Sequence, residues 1–199
     1  MAKTLFLPGA GGAASFWKPV ADRLESNGEF FSWPGLGNEP PEAGAAGLDD
    51  LVAKVLDRMS EPVDIVAQSM GGFIALAAAL AAPEKVERLV LTVTSGGLPV
   101  ADLGGADWRA DYFRAFPRAA KWIAEPVEDL SARLPSIAAP TLLLWGDRDP
   151  ISPVAVGERL RALLPDARLH VIPGAGHDAA ITHADIVASL IARHLTRAP

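Results

Sequence analysis

Ser69 stands where an apolar, β-branched run, Val63, Ile65 and Val66, gives way to an uncharged stretch rich in Ala and Leu. A serine on such a strand-to-helix turn projects its hydroxyl above the sheet edge. Its small neighbours Ala67, Gly71 and Gly72 let strand and helix pass close together. A hydroxyl is a weak nucleophile until a base beside it takes its proton. The chain offers four histidines. His170 falls inside a strand, and His183 and His194 fall on the last helix. His177 follows Pro173-Gly174-Ala175-Gly176, a loop at the carboxyl end of the last strand, and so shares a rim with Ser69. A base of this kind needs an acid that fixes its tautomer and stabilises the imidazolium. Asp147 and Asp149, in the loop Trp145-Gly146-Asp147-Arg148-Asp149-Pro150 after the preceding strand, both fall on that rim. Hydroxyl, imidazole and carboxylate together are the equipment of acyl transfer through a covalent intermediate.

The elements that must position these groups alternate regularly. Short apolar runs predict strands over 4–7, 29–33, 63–68, 86–94, 141–145 and 168–172. Apolar residues at helical spacing predict helices over 15–25, 49–59, 70–82, 153–164 and 177–195. Asp49 and Asp50 open the second of these, where negative charge is favourable. Such alternation means an α/β fold: a doubly wound, mostly parallel six-stranded sheet with helices on both faces. The chain of 199 residues is read as one domain, 1–199, broken only by an insert over 95–139.

Composition narrows the partners. A net charge of −6 argues against general affinity for nucleic acid, which needs a basic face. With no cysteine there is neither a disulfide framework nor a thiolate metal site. No apolar run is long enough to span a bilayer, and the first residues lack the pattern of a signal peptide. A cytoplasmic protein acting on a small molecule, without nucleic acid or membrane partners, is expected.

The stretch Ala67-Gln68-Ser69-Met70-Gly71 is a variant of the G-x-S-x-G nucleophile elbow and resembles the α/β-hydrolase superfamily. The order Ser69, Asp, His177 along the chain matches that superfamily and differs from the two protease orders. The resemblance implies the spatial strand order 2-1-3-4-5-6, with the site in the crevice where the order reverses. It implies Asp149, the last residue of Gly-x-x-Asp, as the acid, leaving Asp147 as a turn residue or a partner for Arg148. One oxyanion donor should be the backbone N–H of Met70, just after the nucleophile, and by family position the other is that of Ala10. No metal or organic cofactor is implied. Two departures stand out. Pro8 replaces a His that usually supports the loop 8–12, and the loop 34–41 keeps Pro34, Gly35 and Gly37 but lacks the Asp and Ser common in members.

The insert 95–139 lies where the superfamily carries its cap. Trp108, Tyr112, Phe113 and Phe116 recur at helical spacings and Trp122 follows. They either pack the insert onto the body or form an apolar wall over Ser69. An insert this short predicts a shallow, open pocket. Arg109, Arg114, Arg118 and Lys121 could meet an acidic substrate, though a solvated helix face is the plainer reading. The leading expectation is therefore a serine hydrolase of a small carboxylic ester, thioester or lactone. The alternatives are C–C bond hydrolysis or a lyase step on the same triad, and a non-catalytic small-molecule receptor of the same fold.

Overall fold

The computed structural model describes residues 2–24, 26 and 28–196. Six parallel strands form one sheet: β1 (Lys3–Leu7), β2 (Glu29–Phe30), β3 (Val63–Gln68), β4 (Val86–Thr92), β5 (Thr141–Gly146) and β6 (Ala167–Ile172), in the order β2-β1-β3-β4-β5-β6. The order reverses between β1 and β3, as the resemblance implied, so the loops leaving those two strands meet at one crevice.

Side chains alternate across this sheet with period two, and each face finds its own helices. Val63, Ile65 and Ala67 of β3 and Leu143 and Trp145 of β5 pack toward Leu51 and Val55 of α2 (Leu48–Leu56), Phe73 and Leu76 of α3 (Met70–Ala81), and Val156 and Leu160 of α5 (Val154–Leu163). Val66, Leu142 and Leu144 face the other way, toward Val20 and Ala21 of α1 (Lys18–Leu24) and Val187 and Ile191 of α7 (Ala184–Leu195). The central strands β3 and β5 are buried along their whole length, which explains their near-continuous apolar runs. No helix among the described residues is long and apolar enough to cross a membrane.

α2 ends three residues and β4 two residues before the expected positions, and three further elements differ from expectation. The second strand stops at Phe30 instead of running to Trp33. Phe31 still donates its N–H to Phe6 O (3.0 Å), but the Ser32 hydroxyl takes the Ala14 N–H and Trp33 N–H turns to Gly12 O (2.8 Å), so the chain leaves the sheet to cover the loop after β1. The first helix opens as a 3₁₀ turn, Ala14–Trp17, before α1; the predicted end at Glu25 lies outside the described residues. The closing helix is broken at His183 (φ −126°, ψ 35°) into α6 (Ala179–Thr182) and α7. His177 precedes both pieces and is free of helical constraint. The insert holds one α-helix, α4 (Arg109–Ala115), among 3₁₀ turns.

One polar residue interrupts the apolar run of β3. Asp64, at the end of the strand remote from Ser69, is 2 % exposed, and its Oδ1 lies 3.5 Å from Arg88 Nη1, an ion-pair distance beyond that of a good hydrogen bond. Burial is the dominant influence and pushes its carboxyl from 3.8 up to about 6, against the opposing pull of Arg88. The folded state therefore holds this proton more tightly than the unfolded chain does, and stability falls as pH rises from about 4 to about 6. Asp64→Asn removes that dependence. Urea denaturation should show the variant gaining on wild type by on the order of 2 kcal/mol between pH 4 and pH 8.

Candidate active site

The junction between β3 and α3 holds Ser69 at φ 52°, ψ −120°, a conformation that L-residues seldom adopt. Its N–H continues the ladder to Thr92 O (2.9 Å), and its carbonyl receives the Gly72 N–H (2.9 Å) as the first turn of α3 closes. Both glycines that follow are sterically required. A Cβ on Gly71 would lie 2.5 Å from Pro8 O, and one on Gly72 would lie 2.5 Å from the Thr94 side chain. The start of α3 is thereby pressed against the end of β1, and the serine stands beside the loop 8–12.

His177 reaches Ser69 from the other side of the sheet's centre. Its Nε2 is 2.9 Å from Ser69 Oγ and its Nδ1 is 2.7 Å from Asp149 Oδ2. A carboxylate only accepts, so Nδ1 carries the hydrogen and Nε2 turns its lone pair to the serine hydroxyl. Asp149 is 4 % exposed, and its second oxygen accepts the N–H groups of Ile151 (2.8 Å) and Ser152 (3.1 Å). These two amides fix the plane of the carboxylate. Asp147, the other aspartate of the loop, accepts the Gly174 N–H (2.7 Å) and so ties the acid loop to the histidine loop. Arg148 N–H to Ala175 O (2.9 Å) and the Gln68 amide to His177 O (3.2 Å) complete the mounting.

The remaining histidines stay apart. His170 is exposed on β6, His183 touches Thr182 (2.9 Å), and His194 Nε2 contacts Pro140 O (3.2 Å), where burial lowers its pKa from the ordinary value. Among the described residues no group of three or more His, Asp or Glu side chains is arranged to hold a metal ion.

Ser69, His177, Ala10 and Met70 line one cavity of about 1040 Å³, at the upper end of ordinary ligand pockets. The amides of Ala10 and Met70 have no hydrogen-bond partner among the described residues. The cavity is roomier than a short insert would suggest, and Val100, Trp108, Tyr112 and Ile123 of the insert wall the space. The expected aromatic wall divides. Trp108 and Tyr112 line the cavity, but Phe113, Phe116 and Trp122 do not; all three pack against the larger core cluster. Tyr112 meets Phe113 edge-on and Phe116 at a tilt, and Lys121 Nζ lies 4.0 Å above the Phe113 ring. Sequence reading missed Phe16, Phe73, Val93, Leu98 and Ile151 as wall residues, since isolated apolar side chains look the same whether they face a core or a cavity. Val93 alone carries a second mark, φ 43° in a β-branched residue.

The charges of the wall are Asp107, Asp111, Glu125 and Asp178 against a single cation, Arg109. That guanidinium is engaged by Asp107 Oδ1 (3.0 Å) and Ala124 O (3.1 Å) and lies over the Trp108 ring at 5.2 Å. Arg114 pairs with Asp111 (2.5 Å).

The family model described as the alpha/beta hydrolase family matches residues 4–190. Among curated relatives, a 2-hydroxy-6-oxononadienedioate/2-hydroxy-6-oxononatrienedioate hydrolase from Cupriavidus pinatubonensis is 28 % identical over 89 % of this chain and 79 % of its own length. The same-named protein of Klebsiella pneumoniae is 26 % identical over 96 % and 84 %. Solved structures with the same fold include a thermophilic esterase from Thermogutta terrifontis (TM-score 0.77, 22 % identity, 98 % of this chain and 89 % of that one). Another is a meta-cleavage product hydrolase from Pseudomonas fluorescens (TM-score 0.75, 21 % identity, 97 % and 90 %).

The strain at residue 69 has a measurable sign. Ser69→Gly relaxes φ 52°, ψ −120°, whereas Ser69→Ala keeps the conformational cost. Thermal and urea melts should find the glycine variant more stable than the alanine variant by about 1 kcal/mol, glycine's greater unfolded-state entropy having offset part of the relief.

Proposed function

The chain belongs to the alpha/beta hydrolase family, and from that premise we propose that it hydrolyses a small carboxylic ester through an acyl-enzyme on Ser69. The 2.9 Å contact between Ser69 Oγ and His177 Nε2, backed by Asp149, is the observation that carries this reading. Ser69 Oγ attacks the ester carbonyl as His177 Nε2 takes its proton. Asp149 holds the imidazolium through Nδ1–H. The N–H groups of Ala10 and Met70 receive the oxyanion, a contribution of about 2.7–4 kcal/mol for each donor in comparable sites. The tetrahedral adduct collapses as His177 returns its proton to the departing alkoxide. A water molecule, deprotonated by the same imidazole, then releases the acid and restores Ser69.

C–C bond hydrolysis is the second reading, favoured by the names of the curated relatives. A dienedioate carries two carboxylates, and a site for it should offer them cations. The one arginine of this wall is engaged by Asp107, and the wall carries more acids than cations, which supports a neutral ester over a dianionic diketone.

A series of p-nitrophenyl esters of rising acyl length tests the assignment. Wild type should turn over the shorter members. Ser69→Ala and His177→Ala should each lower kcat by a factor of about 10³ or more, with the double variant scarcely worse than either single one. Ester turnover that persists in Ser69→Ala, or faster cleavage of a 2-hydroxy-6-oxo dienedioate than of any ester, would refute the ester assignment.

A further inference from the structure

The loop after β1 keeps its shape although Pro8 supplies it with no side-chain hydrogen bond. Four consecutive carbonyls are tied back by four separate donors. Leu7 O accepts the indole N–H of Trp17 (2.9 Å), Pro8 O that of Trp33 (2.7 Å), Gly9 O the N–H of Gly12 (3.0 Å), and Ala10 O the hydroxyl of Tyr112 (2.8 Å). In a trans peptide the C=O and the following N–H point in opposite directions, and no cis peptide occurs among the described residues. Holding the carbonyls of Gly9 and Ala10 therefore sets the directions of the amides of Ala10 and Gly11, two residues that line the cavity.

Tyr112 differs from the other three donors because it comes from the insert. Its oxygen also accepts the Gly37 N–H (3.0 Å), so one phenol joins α4, the loop 8–12 and the loop 34–41. Those two loops are already in backbone contact: a Cβ on Gly37 would fall 1.9 Å from Gly11 O. The phenol is 9 % exposed, and desolvation raises its pKa above 10.0, which keeps it a hydrogen-bond donor throughout the working range of an imidazole base. The ring is itself held between Trp108, Phe113 and Phe116, at centroid distances of 5.5, 5.4 and 5.2 Å.

We propose that Tyr112 is a positioning residue for the oxyanion hole: its hydroxyl, braced by Gly37, holds Ala10 O and so aims the Gly11 amide directly, while Gly12 holds Gly9 O and aims the Ala10 amide, so that Ala10 is pinned from both sides and the insert is a working part of the reaction site. The inference rests on the acyl-enzyme reading, since an oxyanion is what the fixed amides would meet. It predicts an effect on the transition state that exceeds any effect on substrate binding, because the ester carbonyl of the ground state asks less of those amides than the oxyanion does.

Tyr112→Phe keeps the ring and removes the hydroxyl. Leu134→Ala serves as the comparison, since Leu134 is fully buried in the insert but does not line the cavity. On an ester that wild type cleaves through Ser69, Tyr112→Phe should lower kcat about ten-fold with KM within about two-fold, and should weaken a boronic acid that adds to Ser69 by a similar factor. Leu134→Ala should lower the melting temperature at least as much and leave kcat within about two-fold. A Tyr112→Phe enzyme with wild-type kcat, or an equal kcat loss in Leu134→Ala, overturns the proposal. Should wild type cleave no ester, the reading of the previous subsection fails by itself and amide hydrogen exchange decides this one. Exchange at Ala10 and Gly11 about ten-fold faster in Tyr112→Phe than in Leu134→Ala supports the brace, and equal exchange removes it.

Discussion

Ser69 occupies a backbone conformation costing on the order of 1–3 kcal/mol, and much of the neighbouring structure serves to hold it there. The strain persists because both sides of the turn are committed. β3 is hydrogen-bonded between β1 and β4, and α3 buries Phe73, Ile74, Leu76 and several alanines directly behind the serine. Gly71 and Gly72 are the openings through which this works, since side chains there would push α3 off the carbonyls of β1 and off Thr94. The hydroxyl is in consequence presented at the crevice between β1 and β3, and the position of Ser69 follows from the packing of an entire strand and helix.

Around that fixed point the other groups arrive on loops that are tied to one another. Asp147 and Arg148 bind the acid loop to the histidine loop, Gln68 binds the histidine loop to the elbow, and Gly146 lies so close to Ala175 that a Cβ would come within 2.2 Å of its carbonyl oxygen. Asp149 and His177, the side chains in line with Ser69, are thus mounted on strand ends tied to one another. The cavity wall is less constrained. It draws on the insert, where one seven-residue helix and several single turns contribute the cavity's arginine and most of its acidic residues. The ends of the sheet constrain Ser69, Asp149 and His177 far more than they constrain the wall, and one fold can host many different sites.

The parts of the molecule that could be read from sequence are those with a local signature. Short apolar, β-branched runs marked the strands and helical spacing most helices, and glycines beside Ser69 and before His177 marked the turns. The choice between Asp147 and Asp149 had no such signature. Two aspartates separated by one residue both fit the rim, and only the resemblance pointed to Asp149; the physical reason is the turn that points the Ile151 and Ser152 amides at its Oδ1. Helical spacing likewise grouped the aromatics of the insert without saying which side of the group faces the cavity, so Trp108 and Tyr112 line it while Phe113, Phe116 and Trp122 do not. Strand β2 ended early because Ser32 and Trp33 are drawn to the loop after β1, a pull from residues nearly twenty positions upstream that no window around 29–33 contains.

The contact between Tyr112 and Ala10 spans 102 residues, and that between Ser69 and His177 spans 108. Closing loops of that length is slow relative to forming local turns, and the entropic cost of ordering them is repaid only when the flanking elements are already docked. β1 can pair with β3 before Ser69 meets His177 and before the carbonyl of Ala10 meets Tyr112. Those two contacts tie residues from the first dozen positions and from the final fifth of the chain to the insert and the elbow between them.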